Sequence, residues 1–230
     1  MNQNPNAKVT VTRNGPYRVV GNLPIAKWTI KADDEGASRT WEQGEKLQAP
    51  EAYSLCRCGH SENKPFCDGT HARIGFDGTE VAARTPNLEQ ASVVEGPNVA
   101  VTDAESLCAY ARFCDPDGSV WALAEQADGP RERAKVMQMA GHCPSGRLVA
   151  WDTRTKTTLE PSLPPAVGLV EDPQEGVSGP IWLRGGIVLE SADGQQYEVR
   201  NRVTVCRCGE SSNKPFCDGT HASVHFTDEM

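Results

Sequence analysis

Hydrophobic and polar positions alternate along this chain in short runs, not in long helical stripes. From Val9 to Val20 the chain is β-branched and polar, with an Asn14-Gly15-Pro16 turn at its middle, which predicts strand, turn, strand. Ile25 to Lys31 alternates and predicts another strand. After the charged turn from Asp33 to Ser38, Trp41 to Leu47 predicts a short strand that Gly44 breaks. Near the other end, Gly179-Pro180-Ile181-Trp182-Leu183 echoes Gly15-Pro16-Tyr17-Arg18-Val19. Ile187 to Glu190 and Tyr197 to Val205 then predict strands on either side of a hairpin turn at Asp193-Gly194. The middle reads differently. Thr102 and Glu105 have capping-box spacing and predict a helix from Ala104 to Arg112. Val120 to Leu123 predicts a short strand. Pro130 and Gly141 bracket a predicted helix from Arg131 to Ala140, and Arg147 to Trp151 predicts a strand. Between Leu159 and Pro180, five prolines and three glycines with little periodicity predict a linker or extended strap.

These elements divide the 230 residues into four parts: 1–86, an N-terminal β unit; 87–160, a small α+β domain; 161–178, a Pro-rich strap; and 179–230, a C-terminal β unit. The fold class is α+β and β-rich. Only 38% of residues are hydrophobic, with 21 Gly and 16 Pro, which suits loop-rich units that draw part of their stability from bound metal. A formal charge of −8 excludes a basic nucleic-acid or anionic-lipid face, so neither nucleic acid nor membrane is expected as a partner. The polar start, MNQNPNAKVTVTRNG, lacks a signal-peptide core, and no run of apolar residues reaches membrane-spanning length. A cytoplasmic protein is therefore expected. Nine cysteines without a secretion signal argue for reduced thiolate ligands over a disulfide framework.

Six of the nine lie in a stretch used twice. Cys56 to His71 reads CRCGHSENKPFCDGTH, and Cys206 to His221 reads CRCGESSNKPFCDGTH; fourteen of sixteen positions are identical. Phe226 follows Phe76 by 150 positions, the offset of the motif, so the repeat extends beyond the ligands. From the Gly-Pro to the first ligand Cys the first copy needs 41 positions and the second 27, so the first carries an insertion. In an extended segment the two cysteines of Cys-x-Cys point the same way. Cys67 and His71, at i and i+4, meet on a helical turn starting near Asp68. Three Cys and one His also suit a structural Cys3His zinc site in an interaction module, and the ligands alone leave that alternative open. Asp68 and Asp218 are expected to bond the turn or to cap its helix. Arg57 and Arg207 are expected either to shield negative charge or to be solvated. His60 stands opposite Glu210 and is expected at the surface.

The whole string resembles the mitoNEET-like CDGSH iron–sulfur domain family, with pattern C-x-C-x2-S-x3-P-x-C-D-G-S/T-H. Every element is present twice: Cys56, Cys58, Ser61, Pro65, Cys67, Asp68, Gly69, Thr70 and His71, and likewise Cys206, Cys208, Ser211, Pro215, Cys217, Asp218, Gly219, Thr220 and His221. The resemblance implies two [2Fe–2S] clusters, each with two Cys on one iron and Cys plus His on the other. It also implies, from the intertwined homodimers of single-motif members, an internal pseudo-dimer within a monomer. Neutral imidazole in place of thiolate should raise the potential above about −400 mV, towards the Rieske range, and proton competition should make the clusters acid-labile.

Cys108, Cys114 and Cys143-Pro144 in the middle resemble a ferredoxin-like single-cluster segment, with Ala111 where a four-cysteine ferredoxin has its second ligand. Three cysteines suit a [3Fe–4S] cluster, or a [4Fe–4S] cluster with an outside ligand; the alternative is a scaffold whose cysteines are small buried apolar groups. No nucleophile elbow, phosphate loop or dinucleotide fingerprint is present, so no enzyme is expected. The expected function is one-electron transfer or redox- and pH-sensitive cluster storage and transfer, with a redox protein or apo-acceptor as partner.

Overall fold

A computed structural model describes residues 7–228. Two β sheets share the terminal units between them. The first has strand order β11-β1-β2-β5, from β1 (Lys8–Val11), β2 (Tyr17–Val20), β5 (Tyr53–Leu55) and β11 (Val188–Glu190). The second has order β12-β10-β9-β3-β4, from β3 (Ile25–Ala32), β4 (Ser38–Leu47), β9 (Ala166–Asp172), β10 (Val177–Arg184) and β12 (Arg202–Val205). Each sheet is built on an antiparallel three-strand set, to which the first adds one parallel strand, β11, and the second adds the β3–β4 hairpin through parallel pairing of β3 with β9. Val9 pairs with Leu189 and Ile25 pairs with Val167, so the exchange is reciprocal. This exchange is the internal pseudo-dimer.

One core holds both sheets. Val9, Val11, Tyr17, Leu55, Leu169, Ile181, Leu183 and Val205 are all within 2% of full burial. At roughly 1.5–3 kcal/mol per fully buried large apolar side chain, this shared core welds the halves more strongly than a surface contact would. The insertion in the first copy is the long β3–β4 hairpin. Gly44 does not break β4, because β4 takes up the misfit as a bulge: between the Ala26–Lys46 and Trp28–Gln43 pairs it carries one residue more than β3.

The middle segment is a three-stranded sheet, order β6-β7-β8, from β6 (Ser92–Glu95), β7 (Val99–Asp103) and β8 (Leu148–Asp152). Val136, Met139 and Ala140 of the helix Pro130–His142 pack on it. That helix runs where the sequence predicts it.

Four expectations fail for identifiable reasons. The helix from Ala104 to Arg112 is only a 3-10 turn, Glu105–Leu107. Its supposed cap, Thr102, is taken by a tertiary partner, its Oγ1 accepting from Trp151 Nε1 at 3.0 Å, and the adjacent Asp103 accepts from Arg147 and Trp121. The strand at Val120 to Leu123 is a helix, Val120–Glu125, with Ser119 Oγ accepting from the Ala122 amide. A short apolar run fits either element, and here Ala122 and Ala124 side with the helix. The strap over 161–178 holds β9 and the start of β10. Val167 to Val170 is buried on both faces, which erases the alternation that marks a half-buried strand. The strand from Tyr197 shrinks to Arg202–Val205, because Tyr197 and Glu198 turn to bond Glu80 and Asn87. Phe76 packs back against Arg57, whereas Ile74 is 49% exposed.

Candidate metal centres

Each repeated motif folds into the same frame. β5 delivers Cys56 and β12 delivers Cys206 from the buried ends of the two sheets. In both copies the X-Pro bond, Lys64–Pro65 or Lys214–Pro215, is cis. The chain then doubles back: the Cys56 amide donates to Pro65 O and the Cys206 amide to Pro215 O, both at 2.8 Å. Ser61 Oγ donates to Phe66 O at 2.6 Å and Ser211 Oγ to Phe216 O at 2.7 Å. Gly69 and Gly219 both sit at φ 88°, a left-handed conformation that opens the short helices Thr70–Arg73 and Thr220–Ser223. Asp68 and Asp218 do both things expected of them. One oxygen accepts from the residue 62 or 212 amide across the turn, and the other from the Thr70 or Thr220 amide in the first helical turn. Those bonds hold the Asp68 carboxyl well below the usual carboxylate range.

The ligand atoms come in pairs. Cys56 Sγ and Cys58 Sγ are 3.8 Å apart, as are Cys206 Sγ and Cys208 Sγ. Cys67 Sγ lies 3.4 Å from His71 Nδ1, and Cys217 Sγ lies 3.4 Å from His221 Nδ1. A tetrahedral metal bonded to sulfur at about 2.3 Å and to nitrogen at about 2.0 Å places such pairs about 3.8 and about 3.5 Å apart. Each pair therefore has the bite that one metal position would need, with Nδ1 the imidazole nitrogen turned towards the sulfur. Among the described residues no three His, Cys, Asp or Glu side chains converge closely enough to chelate a single ion. The Gly69 and Gly219 amides donate to Cys67 Sγ and Cys217 Sγ at 3.4 Å.

Cys58, Cys67, Cys208 and Cys217 are all held towards the neutral thiol. Burial raises Cys67 and Cys217, and lifts Cys58 to about 11. Within the Cys206–Cys208 pair the mutual hydrogen bond lowers the first to about 7 and raises the second. Binding must displace these protons, so loading is favoured by rising pH. Burial lowers the His221 imidazole to about 4, keeping it in the neutral form a ligand needs.

Neither motif arginine is solvated. Arg57 is buried, donating to the carbonyls of Thr12, Gly15 and Gly78. Arg207 is equally buried, but it pairs with Glu171 at 3.0 Å and with Asp228. His60 is exposed, as expected. The two sites meet back to back. A Cβ built on Gly59 would lie 2.2 Å from the Cys208 carbonyl oxygen, and one on Gly209 would lie 2.5 Å from that of Cys58, so only glycine fits the seam. Tyr17, which the sequence reading did not single out, crosses it to donate to the Cys206 and Pro215 carbonyls at 2.9 and 3.1 Å. Its burial, which raises its pKa well above the ordinary value, keeps that proton in place.

Cys108, Cys114 and Cys143 come together around one small cavity, with Ala111 and Arg147 also on its wall. Cys114 Sγ faces Asp115 and Cys143 Sγ faces Ser145 Oγ at 3.4 Å. Burial raises the Cys114 thiol.

Comparison with protein families agrees with this layout. Residues 14–72 and 178–222 both match the family described as iron-binding zinc finger CDGSH type. Residues 94–153, which contain the three remaining cysteines, match the divergent 4Fe-4S mono-cluster family. Both terminal units belong to the CDGSH family, and the chain is an iron–sulfur protein with a ferredoxin-type segment between them. Comparison with curated proteins finds no match. No helix among the described residues is long and apolar enough to cross a membrane.

Proposed function

We propose that each terminal site holds a [2Fe–2S] cluster, through Cys56, Cys58, Cys67 and His71 in one and Cys206, Cys208, Cys217 and His221 in the other, and that the protein is a one-electron carrier. The pairing of the ligands carries this reading. Two bites per motif, 3.8 and 3.4 Å wide, suit two metal positions, whereas a single zinc ion would draw all four ligands together. Such a cluster, when bound, supplies a one-electron couple. The chain tunes it with two devices: a neutral imidazole replacing one thiolate, and the Gly69 and Gly219 amides donating to sulfur. Both favour the reduced form and set the potential above about −400 mV. The partner is then a redox protein, with an apo-acceptor the alternative if the clusters are passed on whole. The protein acts as a monomer, since its pseudo-dimer is internal, and no residue is assigned a catalytic role.

A third centre in the middle segment is the second reading. Its support is the convergence of Cys108, Cys114 and Cys143 on one cavity, with Ala111 in place of a fourth thiolate. Three thiolates suit a [3Fe–4S] cluster, or a [4Fe–4S] cluster whose fourth iron takes an outside ligand.

Iron and sulfide analysis with visible and EPR spectra, on protein purified without air, tests both readings. About four irons per chain support the two terminal clusters alone, and about seven or eight add the third. Stoichiometric zinc with little iron overturns the proposal.

A further inference from the structure

The two CDGSH sites carry the same ligands in the same frame, yet they are not equally open. At the N-terminal site Cys67 and His71 are partly exposed, and a Cβ built on Gly69 would meet no atom within 4 Å. At the C-terminal site Cys217 and His221 are 3% and 4% exposed. There a Cβ on Gly219 would lie 3.2 Å from Tyr110 Cβ and 3.5 Å from the Cys108 carbonyl oxygen. The cover is the middle segment's run from Cys108 to Arg112, and it is tied down on both flanks. Asn213 Nδ2 donates to Ser106 O at 2.9 Å, whereas its counterpart Asn63 is exposed. Arg112 forks onto Asp172, at 2.6 and 3.1 Å, and Asp172 is 3% exposed on β9. Between these ties Tyr110 and Arg112 hold φ of 55° and 58°. Side-chain-bearing residues keep that conformation only where their surroundings impose it.

We propose that the segment from Cys108 to Arg112 closes the C-terminal site, leaving the N-terminal site as the port at which partners and reagents in solution reach the protein's bound centres. The proposal rests on the reading that both sites hold such centres. It gives the three cysteine groups an order. Cys108 lines the middle cavity and also lies over Gly219, and the C-terminal site meets the N-terminal one at the Gly59–Gly209 seam. The closed site is thus the middle member of a row whose open end is His71.

The test uses the full chain, purified without air and treated with excess EDTA, followed by iodoacetamide and peptide mapping at intervals. The expected result is stepwise loss of iron, with Cys67 alkylated in the early step and Cys217 protected until later; Cys56, Cys58, Cys206 and Cys208 are all buried and do not discriminate. Arg112→Ala and Tyr110→Gly should each speed the late step several-fold and leave the early one unchanged. Arg112→Lys, which keeps the charge on Asp172, should fall between. Simultaneous labelling of the two peptides, earlier labelling of Cys217, or variants that leave the late step unmoved would overturn the proposal. Absence of iron before EDTA would instead sink the reading on which it rests. The labelling order still decides in that case, because closure requires Cys67 to react before Cys217 with or without a centre.

Discussion

The two copies of the motif differ at two of sixteen positions and share the Cys–Pro, Ser–Phe, Asp and Gly–Sγ hydrogen bonds that shape the ligand turn, yet their second neighbours are unlike. At the N-terminal copy Cys67 and His71 are partly exposed, and the motif arginine donates to backbone carbonyls and lies over the Tyr17 and Phe76 rings. The C-terminal copy is roofed by the middle segment, and its arginine answers two carboxylates. A repeat therefore reproduces a site's chemistry but not its accessibility or its dependence on the fold, because those come from whatever chain is packed around it.

The sharpest way to break this comparison is to remove one ligand from each copy. Cys67→Ser and Cys217→Ser should each lose the two irons of one site, about half of the terminal complement, by iron analysis. Only Cys217→Ser should also cost the fold appreciably, as a lower midpoint in thermal unfolding. Equal thermal losses would mean that the two sites are coupled to the core alike. The arginines come next. Arg207→Ala leaves Asp228 and Glu171 facing a low-dielectric interior and should cost about 3–5 kcal/mol in denaturant unfolding. Arg57→Ala strands three carbonyls and should cost less, about 1–3 kcal/mol. Leu169→Ala, in the core common to both sheets, should cost about 2–5 kcal/mol and weaken iron retention at both sites together. Loss confined to the C-terminal site would show that the halves are independent.

The smallest expected effect is with acid. His221 must be neutral to ligate, and burial puts its folded pKa at about 4, below the ordinary value of about 6.5. The unfolded chain therefore takes up this proton at higher pH than the folded one, and the contribution of buried, neutral His221 to stability is present above about pH 6.5 and lost as pH falls towards 4. The N-terminal site is the more open of the two, with Cys67 and His71 partly exposed. Visible absorbance should thus bleach in two steps on acidification, the N-terminal site first; one step, or the reverse order in peptide mapping, would contradict the assignment.

Much of this was legible in residue order. The ligand set, the turn-forming Ser, Pro and Asp of each motif, the strand at Ile25 and the helix beginning at Pro130 all rest on contacts a few residues long. The failures share a cause. Thr102 and Glu105 have the spacing of a cap, but a tryptophan from β8 takes the Thr102 hydroxyl. Val167 to Val170 lacks alternation because the shared core covers one face, with Val167 and Leu169, and a second cluster with Ala111 and Phe113 covers Val170 on the other. Tyr17 reads as one more strand residue until it meets a carbonyl 189 positions away.

The sequence by itself determined two near-identical three-Cys, one-His frames, because most of the hydrogen bonds that shape each sixteen-residue turn lie within it. Only the tertiary structure decided that β3 and β11 cross between the units, that the motifs abut at two glycines, and that a segment over a hundred residues away from Gly219 lies on one site and leaves its twin open. Those outcomes depend on burying apolar surface from distant parts of the chain together, which no local pattern specifies.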